Sequence, residues 1–272
     1  MSIKADTHMH SHHSGDSESS MESMIESAIA AGLDTICFTE HNDFDFPVYP
    51  DLPAGTFELN ADSYLYELLS MRDRYEGKIK ILFGIEIGMQ PHLMRENAIL
   101  AKAHEYDFII GSTHLAGGKD PYMPEYFKEL GKKEGLKLYF EEELLNLKKH
   151  SNYDSCGHLD YAVRYTENPA EGLSFADHAE VIDAILDTLI DKEKALELNT
   201  ASFYHGMNEP NPATAILKRY HEKGGELITI GSDAHTPDRI GYDFERAAGI
   251  LKDIGYSYYA VYEKRSPEMR KL

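Results

Sequence analysis

Apolar positions along this chain alternate between two rhythms. Short runs of adjacent β-branched and aromatic residues give way to longer stretches in which apolar residues recur every third or fourth position. The first rhythm predicts strands over residues 3–6, 35–39, 79–85, 108–112, 154–157, 195–198, 227–231 and 258–262. The second predicts helices over 20–31, 61–75, 93–104, 124–133, 137–150, 175–192, 212–223 and 242–254. In the first helix, Met21, Met24, Ile25, Ala28 and Ile29 share one face, and Gly32 stops the run. Pro212 suits the first turn of its helix. A Pro- and Asp-rich stretch over 42–55 is too long for a plain connector and predicts a functional covering loop.

Strands that alternate with helices must be joined by crossovers, which makes the sheet parallel. About seven such units point to an α/β, TIM-like barrel rather than an open sheet. There is no linker, fixed-period repeat or low-complexity tract, so the expectation is a single catalytic barrel over residues 1–272.

Composition narrows the function. The net charge of -20 argues against nucleic acid as a general partner, although bound cations could still admit an anionic substrate. No apolar run is long enough to span a membrane, and the first residues lack a signal-peptide core. The two cysteines, Cys37 and Cys156, form no CxxC pair, which fits a reducing, cytoplasmic setting and excludes a disulfide framework. Gly-rich phosphate loops and a Gly-x-Ser-x-Gly elbow are both missing.

The 14 histidines are numerous for 272 residues, and their placement carries the chemistry. The residues at the C-terminal ends of the predicted strands are His8 and His10, His41, Glu86, His114, His158, Asn199, then Asp233 and His235. Singly, each has an ordinary explanation: His114 as a core histidine, Glu86 as an ion-pair partner, Asp233 as a helix cap. Random scatter would not put so many imidazoles on the one barrel edge where active sites form. As a set they predict a metal centre, and imidazole with carboxylate suits zinc, manganese or iron. One ion takes three or four protein ligands, so this set suggests two or three ions sharing a bridging carboxylate. Such ions would grip a phosphate and acidify a bridging water into the attacking hydroxide, with Asp233 and His235 beside it. Asp233, His205 or a metal-bound water could return the proton. Arg164, just past the fifth strand, suits bidentate contact with phosphate. Arg239, Asn199 and His205, in the loop 202–206, are further candidates for substrate contact. His12 and His13 lie near the site without a strand-end position. His104, His150, His178 and His221 are expected to face solvent from helices.

These residues resemble the PHP superfamily, the polymerase and histidinol phosphatase family of metal-dependent phosphoesterases. The resemblance rests on His8-x-His10-Ser11-x-x-Ser14-x-Asp16, then Thr39-Glu40-His41, Gly84-Ile85-Glu86, Ser112-Thr113-His114, Gly157-His158-Leu159-Asp160 and Gly231-Ser232-Asp233-Ala234-His235. It implies a distorted (β/α)7 barrel with a trinuclear site. His8, His10, Glu86 and Asp233 would hold one ion, and Glu86 would bridge to a second held by His114 and His158. Asp16, His41 and His235 would hold the third. The single-domain length, the inserts after His41 and His114, and Glu209-Pro210-Asn211-Pro212 resemble the histidinol-phosphate phosphatase branch. The implied reaction is hydrolysis of L-histidinol phosphate in histidine biosynthesis, with Arg164 on the phosphate.

Three other readings compete. A PHP-type phosphoesterase could act on nucleotides or other small phosphate esters. A metal-stabilised scaffold would need vacant ligand positions, and here each one is filled. A metal-dependent amidohydrolase is disfavoured by the lack of a strand-end lysine. The sequence leaves the oligomeric state open.

Overall fold

Seven parallel strands follow one another around the molecule in chain order: β1 (Ala5–Met9), β2 (Thr35–Asn42), β3 (Lys80–Gly88), β4 (Phe108–Ser112), β5 (Ser155–Cys156), β6 (Ala195–Asn199) and β7 (Ile228–Gly231). The structure, a computed structural model, describes residues 3–272. Strands β7 and β1 meet where Asp233 N donates to His8 O at 2.8 Å and His10 N donates to Ala234 O at 2.9 Å. Thr7 Oγ1 adds a bond to Ile230 O at 3.0 Å. The sheet is therefore a nearly closed barrel, as the alternation predicts.

Helices α1 (Met21–Ala30), α2 (Ala61–Arg74), α3 (Met94–Ala103), α4 (Pro124–Lys149), α5 (Phe175–Asp191), α6 (Ala201–Tyr204), α7 (Thr214–Glu222) and α8 (Phe244–Ile254) follow the strands. Local chemistry sets their limits. Ser20 caps α1 by accepting from Ser23 N. At its other end Gly32 takes φ 77°, letting Gly32 N reach Ile29 O and Leu33 N reach Ala28 O. On α5, His178, Ile182, Ile185 and Leu189 recur at helical spacing and form the buried stripe. The two helices expected over 124–133 and 137–150 run together as α4, whose one break, Gly131 at φ 74° and ψ 162°, falls inside the first expected span.

Strand residues alternate between the helix layer and the barrel interior. In β6, Leu196 and Leu198 join the hydrophobic core, while Glu197 turns inward to bond His8 Nδ1. Deeper inside, Ser155 Oγ and Thr229 Oγ1 lie 2.7 Å apart.

A hairpin of β8 (Tyr258–Glu263) and β9 (Ser266–Lys271) packs at the N-terminal end of the barrel. Lys4 N donates to Tyr259 Oη, just before β1. Arg265 pairs with Asp154, just before β5, and Arg270 with Asp34, just before β2. The backbone N–H groups of Lys264 and Arg265 donate to Asp107, just before β4.

Several expectations need correction. Strand β1 runs to Met9 and β2 to Asn42, beyond the polar residues at which a sequence pattern ends them. Those residues stay in the ladder because their side chains find partners in the site; His41 pairs in register with Glu86. Strand β9 went unread. Helix α7 begins at Thr214, and Pro212 precedes it after a cis peptide bond with Asn211. His150 and His178 are buried, not solvent-facing. The first lies against Asn97 and Asn146 O, and the second against the Phe140 ring.

Gly231 marks a tight link between barrel and site. A Cβ there would sit 2.2 Å from His8 Cβ and 2.7 Å from Glu197 Oε1. Gly231→Ala is expected to lower the unfolding free energy by about 1–3 kcal/mol. Urea denaturation checks this, and an unchanged midpoint would show that β7 shifts freely.

Candidate metal centre

Glu86, near the C-terminal end of β3, is completely buried, and imidazoles surround its carboxylate. His8 Nε2 and His41 Nδ1 approach Oε2 at 3.2 and 3.0 Å, with His10 Nε2 at 3.5 Å. On the other side, His158 Nε2 and His114 Nε2 approach Oε1 at 2.9 and 3.2 Å, and Ser112 Oγ donates to it at 2.6 Å. One carboxylate thus faces two groups of nitrogens. Asp233 closes the first group, its Oδ1 lying 3.5 Å from His10 Nε2 and 3.7 Å from His8 Nε2. Nearer the rim, Asp16 Oδ2 lies 3.2 Å from His235 Nε2 and 3.6 Å from His41 Nε2. The His10 ring stacks between His41 and His235, at centroid distances of 4.1 and 4.2 Å.

The far ring nitrogens explain why these imidazoles point as they do. Glu197 Oε1 lies 2.6 Å from His8 Nδ1, Asp43 Oδ1 2.7 Å from His114 Nδ1, and Ser14 Oγ 3.0 Å from His10 Nδ1. Ser14 in turn donates to Glu40, which also accepts from the N–H and hydroxyl of Ser11. A partner on Nδ1 fixes the ring and leaves the Nε2 lone pair facing inward, the usual arrangement behind a metal-binding histidine.

Asp233 takes the left-handed conformation, φ 55°, a cost carried where function needs the side chain turned inward. Arg164, on the short 3-10 helix Tyr161–Tyr165, reaches Asp233 Oδ2 at 3.3 Å with Nη1. Its Nη2 donates to Asn199 Oδ1 at 3.0 Å and its Nε to Asn211 Oδ1 at 2.6 Å. Asp160 accepts from Asn211 and from Ala213 N, and burial pushes its pKa up to about 6.

Burial opposes charge on every group in this cluster. For Glu86 that opposition is outweighed by His8, His41 and His114, which hold its carboxyl well below the usual range. Asp233 is likewise held low by His8, His10 and Arg164. Burial pulls His8 down, but Glu197, Glu86 and Asp233 raise it well above an ordinary histidine. His10 goes the other way, driven well below by burial and by His41 and His235. Burial also lowers His158, against the pull of Glu86. Ionised acids thus stand beside two rings that resist protonation, His10 and His158, and beside His8, His41, His114 and His235, which the acids' charges push up. Nε2 of His10 and of His235 is buried without a hydrogen-bond partner among the described residues. Inward lone pairs, ionised carboxylates and oriented rings together fit divalent transition-metal ions.

Beside the cluster opens a cleft of about 480 Å³. Its walls include Arg164, His205, Arg239, Asp120, Tyr161 and Phe57. Arg239 lies over the Tyr204 ring at 4.8 Å, and Tyr204 Oη donates to Asp233 O at 2.9 Å.

The structure brings His8, His10, Asp16, His41, Glu86, His114, His158, Asp233 and His235 into one connected set. Arg164, His205 and Arg239 line the cleft. Asn199, expected to touch substrate, is fully buried and instead holds Arg164. His12 and His13 turn away to Glu67. Sequence reasoning missed Glu197, Asp43 and Asp120, and it placed Ser14 in a motif without giving it a task. Glu197 had left a trace as the charge inside the otherwise apolar run 195–198.

A parallel barrel with an inward-facing imidazole–carboxylate cluster at its C-terminal mouth defines a metal-dependent hydrolase of TIM-like architecture. The chain matches the PHP domain over residues 6–201 and belongs to that family. Histidinol-phosphatase from Lactococcus lactis is 34% identical over 260 residues, covering 95% of this chain and 94% of that protein. Probable histidinol-phosphatase from Clostridium acetobutylicum is also 34% identical, over 91% of this chain and 92% of that one. The crystal structure of the Lactococcus lactis histidinol phosphate phosphatase, complexed with zinc, L-histidinol and phosphate, matches with a TM-score of 0.89. That match has 33% identity and covers 97% of this chain and 98% of that one.

Glu197 orients His8 without facing the cleft, so Glu197→Gln tests the ring-fixing role. Metal affinity is expected to fall by about 10- to 100-fold. Competition with a chelator of known affinity measures it.

Proposed function

We propose that this protein is a histidinol-phosphatase, hydrolysing L-histidinol phosphate to L-histidinol and phosphate as a step of histidine biosynthesis. What carries the reading is the relative matched over 97% of the chain, whose crystal structure contains zinc together with L-histidinol and phosphate. Two or three divalent ions, with zinc, manganese and iron as candidates, would be held by His8, His10, Glu86 and Asp233, by Glu86, His114 and His158, and by Asp16, His41 and His235. Bound there, such ions supply Lewis-acid polarisation of phosphate oxygens and acidification of water. The cytoplasm suits a biosynthetic enzyme of this kind.

The chain's own residues supply the rest. Arg164 has five N–H donors and uses three of them on Asn199, Asn211 and Asp233. One N–H remains on each terminal nitrogen, which suits two phosphate oxygens. Asp233, held ionised beside Arg164, takes a proton from the attacking water and can return it to the leaving alkoxide. His205 and Arg239 add donors at the rim.

The other product half is an amino alcohol bearing an imidazole, and cationic when protonated. Asp120 suits it. This buried carboxylate accepts from Tyr122 N at 2.8 Å, and burial pushes its pKa up to about 6. It is therefore mainly ionised at pH 7, in a cleft lined with aromatic rings. A substrate ammonium or imidazolium would give it a counter-charge.

Purified protein is expected to release phosphate from histidinol phosphate, to lose that activity on dialysis against a chelator, and to regain it with zinc or manganese. Hydrolysis of p-nitrophenyl phosphate without any of histidinol phosphate would refute the substrate and spare the chemistry. Arg164→Met should lower kcat/KM for both esters by on the order of 100-fold or more, the scale for losing a donor to developing oxyanion charge. Asp120→Asn should raise KM for histidinol phosphate by about 10- to 100-fold and leave p-nitrophenyl phosphate unchanged. An equal effect on the two esters would remove Asp120 from substrate recognition.

A further inference from the structure

The loop between β1 and α1 carries two histidines that the main centre does not use. His12 and His13 both aim Nε2 at one oxygen of Glu67, on α2, at 3.3 and 3.0 Å from Oε2. Their rings lie 4.5 Å apart, tilted by 32°. Two neighbouring imidazoles converging on a single carboxylate oxygen is more than an ordinary surface ion pair requires.

We propose that His12, His13 and Glu67 form a second, separate binding site for a divalent transition-metal ion. The site is independent of the substrate assigned above. All three donor atoms fall within 4.8 Å of one another. Ligands 2.0–2.2 Å from a tetrahedral ion lie about 3.3–3.6 Å apart, close to the spacing seen here. Two nitrogens and a carboxylate oxygen suit zinc, and the fourth position is left for water. His12 is 42% exposed and Glu67 28%, so the ion would enter directly from solvent. None of the three residues lines the cleft.

The donors are set on anchored backbone. His12 N donates to Ser19 O at 2.8 Å, and the His13 ring lies 5.6 Å from that of Tyr64, also on α2. Tyr64 Oη donates to Phe38 O and Gly84 O, fastening the helix to β2 and β3. An ion at His12, His13 and Glu67 would therefore tie the loop to the barrel wall. The same loop supplies Ser14, which fixes His10, and Asp16 at the rim. The outer ion acts as a clasp that holds this loop in place.

The test is zinc stoichiometry of the full-length protein, equilibrated against graded free zinc and read by elemental analysis. Wild type is expected to take up one equivalent more than either Glu67→Gln or His12→Asn. Phosphatase activity at limiting zinc should be the same in all three, because neither residue touches the main cluster. The zinc-dependent rise in Tm should be smaller in both variants than in wild type. His12 is partly exposed, so His12→Asn leaves the fold intact if Glu67→Gln does not. Equal zinc uptake by wild type and His12→Asn would overturn the proposal.

Discussion

A carboxylate without access to water must have its charge answered locally, and Glu86 is the point where this protein meets that demand. Five histidines from four different strand ends bring a nitrogen within 3.5 Å of its two oxygens. Such convergence requires a closed ring of strands, because an open sheet would place β1 and β5 too far apart to share one acceptor. Chain closure through His8, His10, Asp233 and Ala234 is therefore part of the site as much as of the fold.

The acidic residues divide between two tasks. Glu86, Asp233 and Asp16 face the imidazoles' inner nitrogens, while Glu197, Asp43 and Glu40 hold the outer framework. The second group keeps the rings at set angles, so donor groups spread over the whole barrel are held in place by the protein's own hydrogen bonds. Arg164 is handled in the same way. Asn199 and Asn211 occupy part of its fork, and the remaining N–H groups have little freedom left to lose on meeting an anion.

How much of this was legible follows from where each signal lies. The imidazoles and carboxylates at the strand ends could be read because the apolar runs mark the strands and barrel chemistry collects at one edge. Residues that act through others were hidden. Asp43 sits in a long covering loop whose path no periodicity encodes, and Ser14 stands in the first motif with nothing in the sequence to say that it fixes His10. Asn199 occupies a ligand-like position in sequence, yet its side chain turns to Arg164, which only three-dimensional neighbours reveal. The hairpin turn at Lys264-Arg265 escaped because both residues adopt positive φ without the glycine or asparagine that usually announces it. Strand β9, Ser-Pro-Glu-Met-Arg-Lys, is polar and carries a proline, so no apolar pattern marks it as a strand.

That hairpin has a consequence for how the molecule is made. It follows every barrel strand in the chain, yet it is what Asp154, Asp34 and the backbone around Asp107 bond to. A ribosome delivers these acidic residues long before their arginines emerge. Until then Asp154, almost wholly buried in the finished protein, has no guanidinium beside it. The early segments can collapse during synthesis, but the floor of the barrel is sealed only once this later-made hairpin has docked.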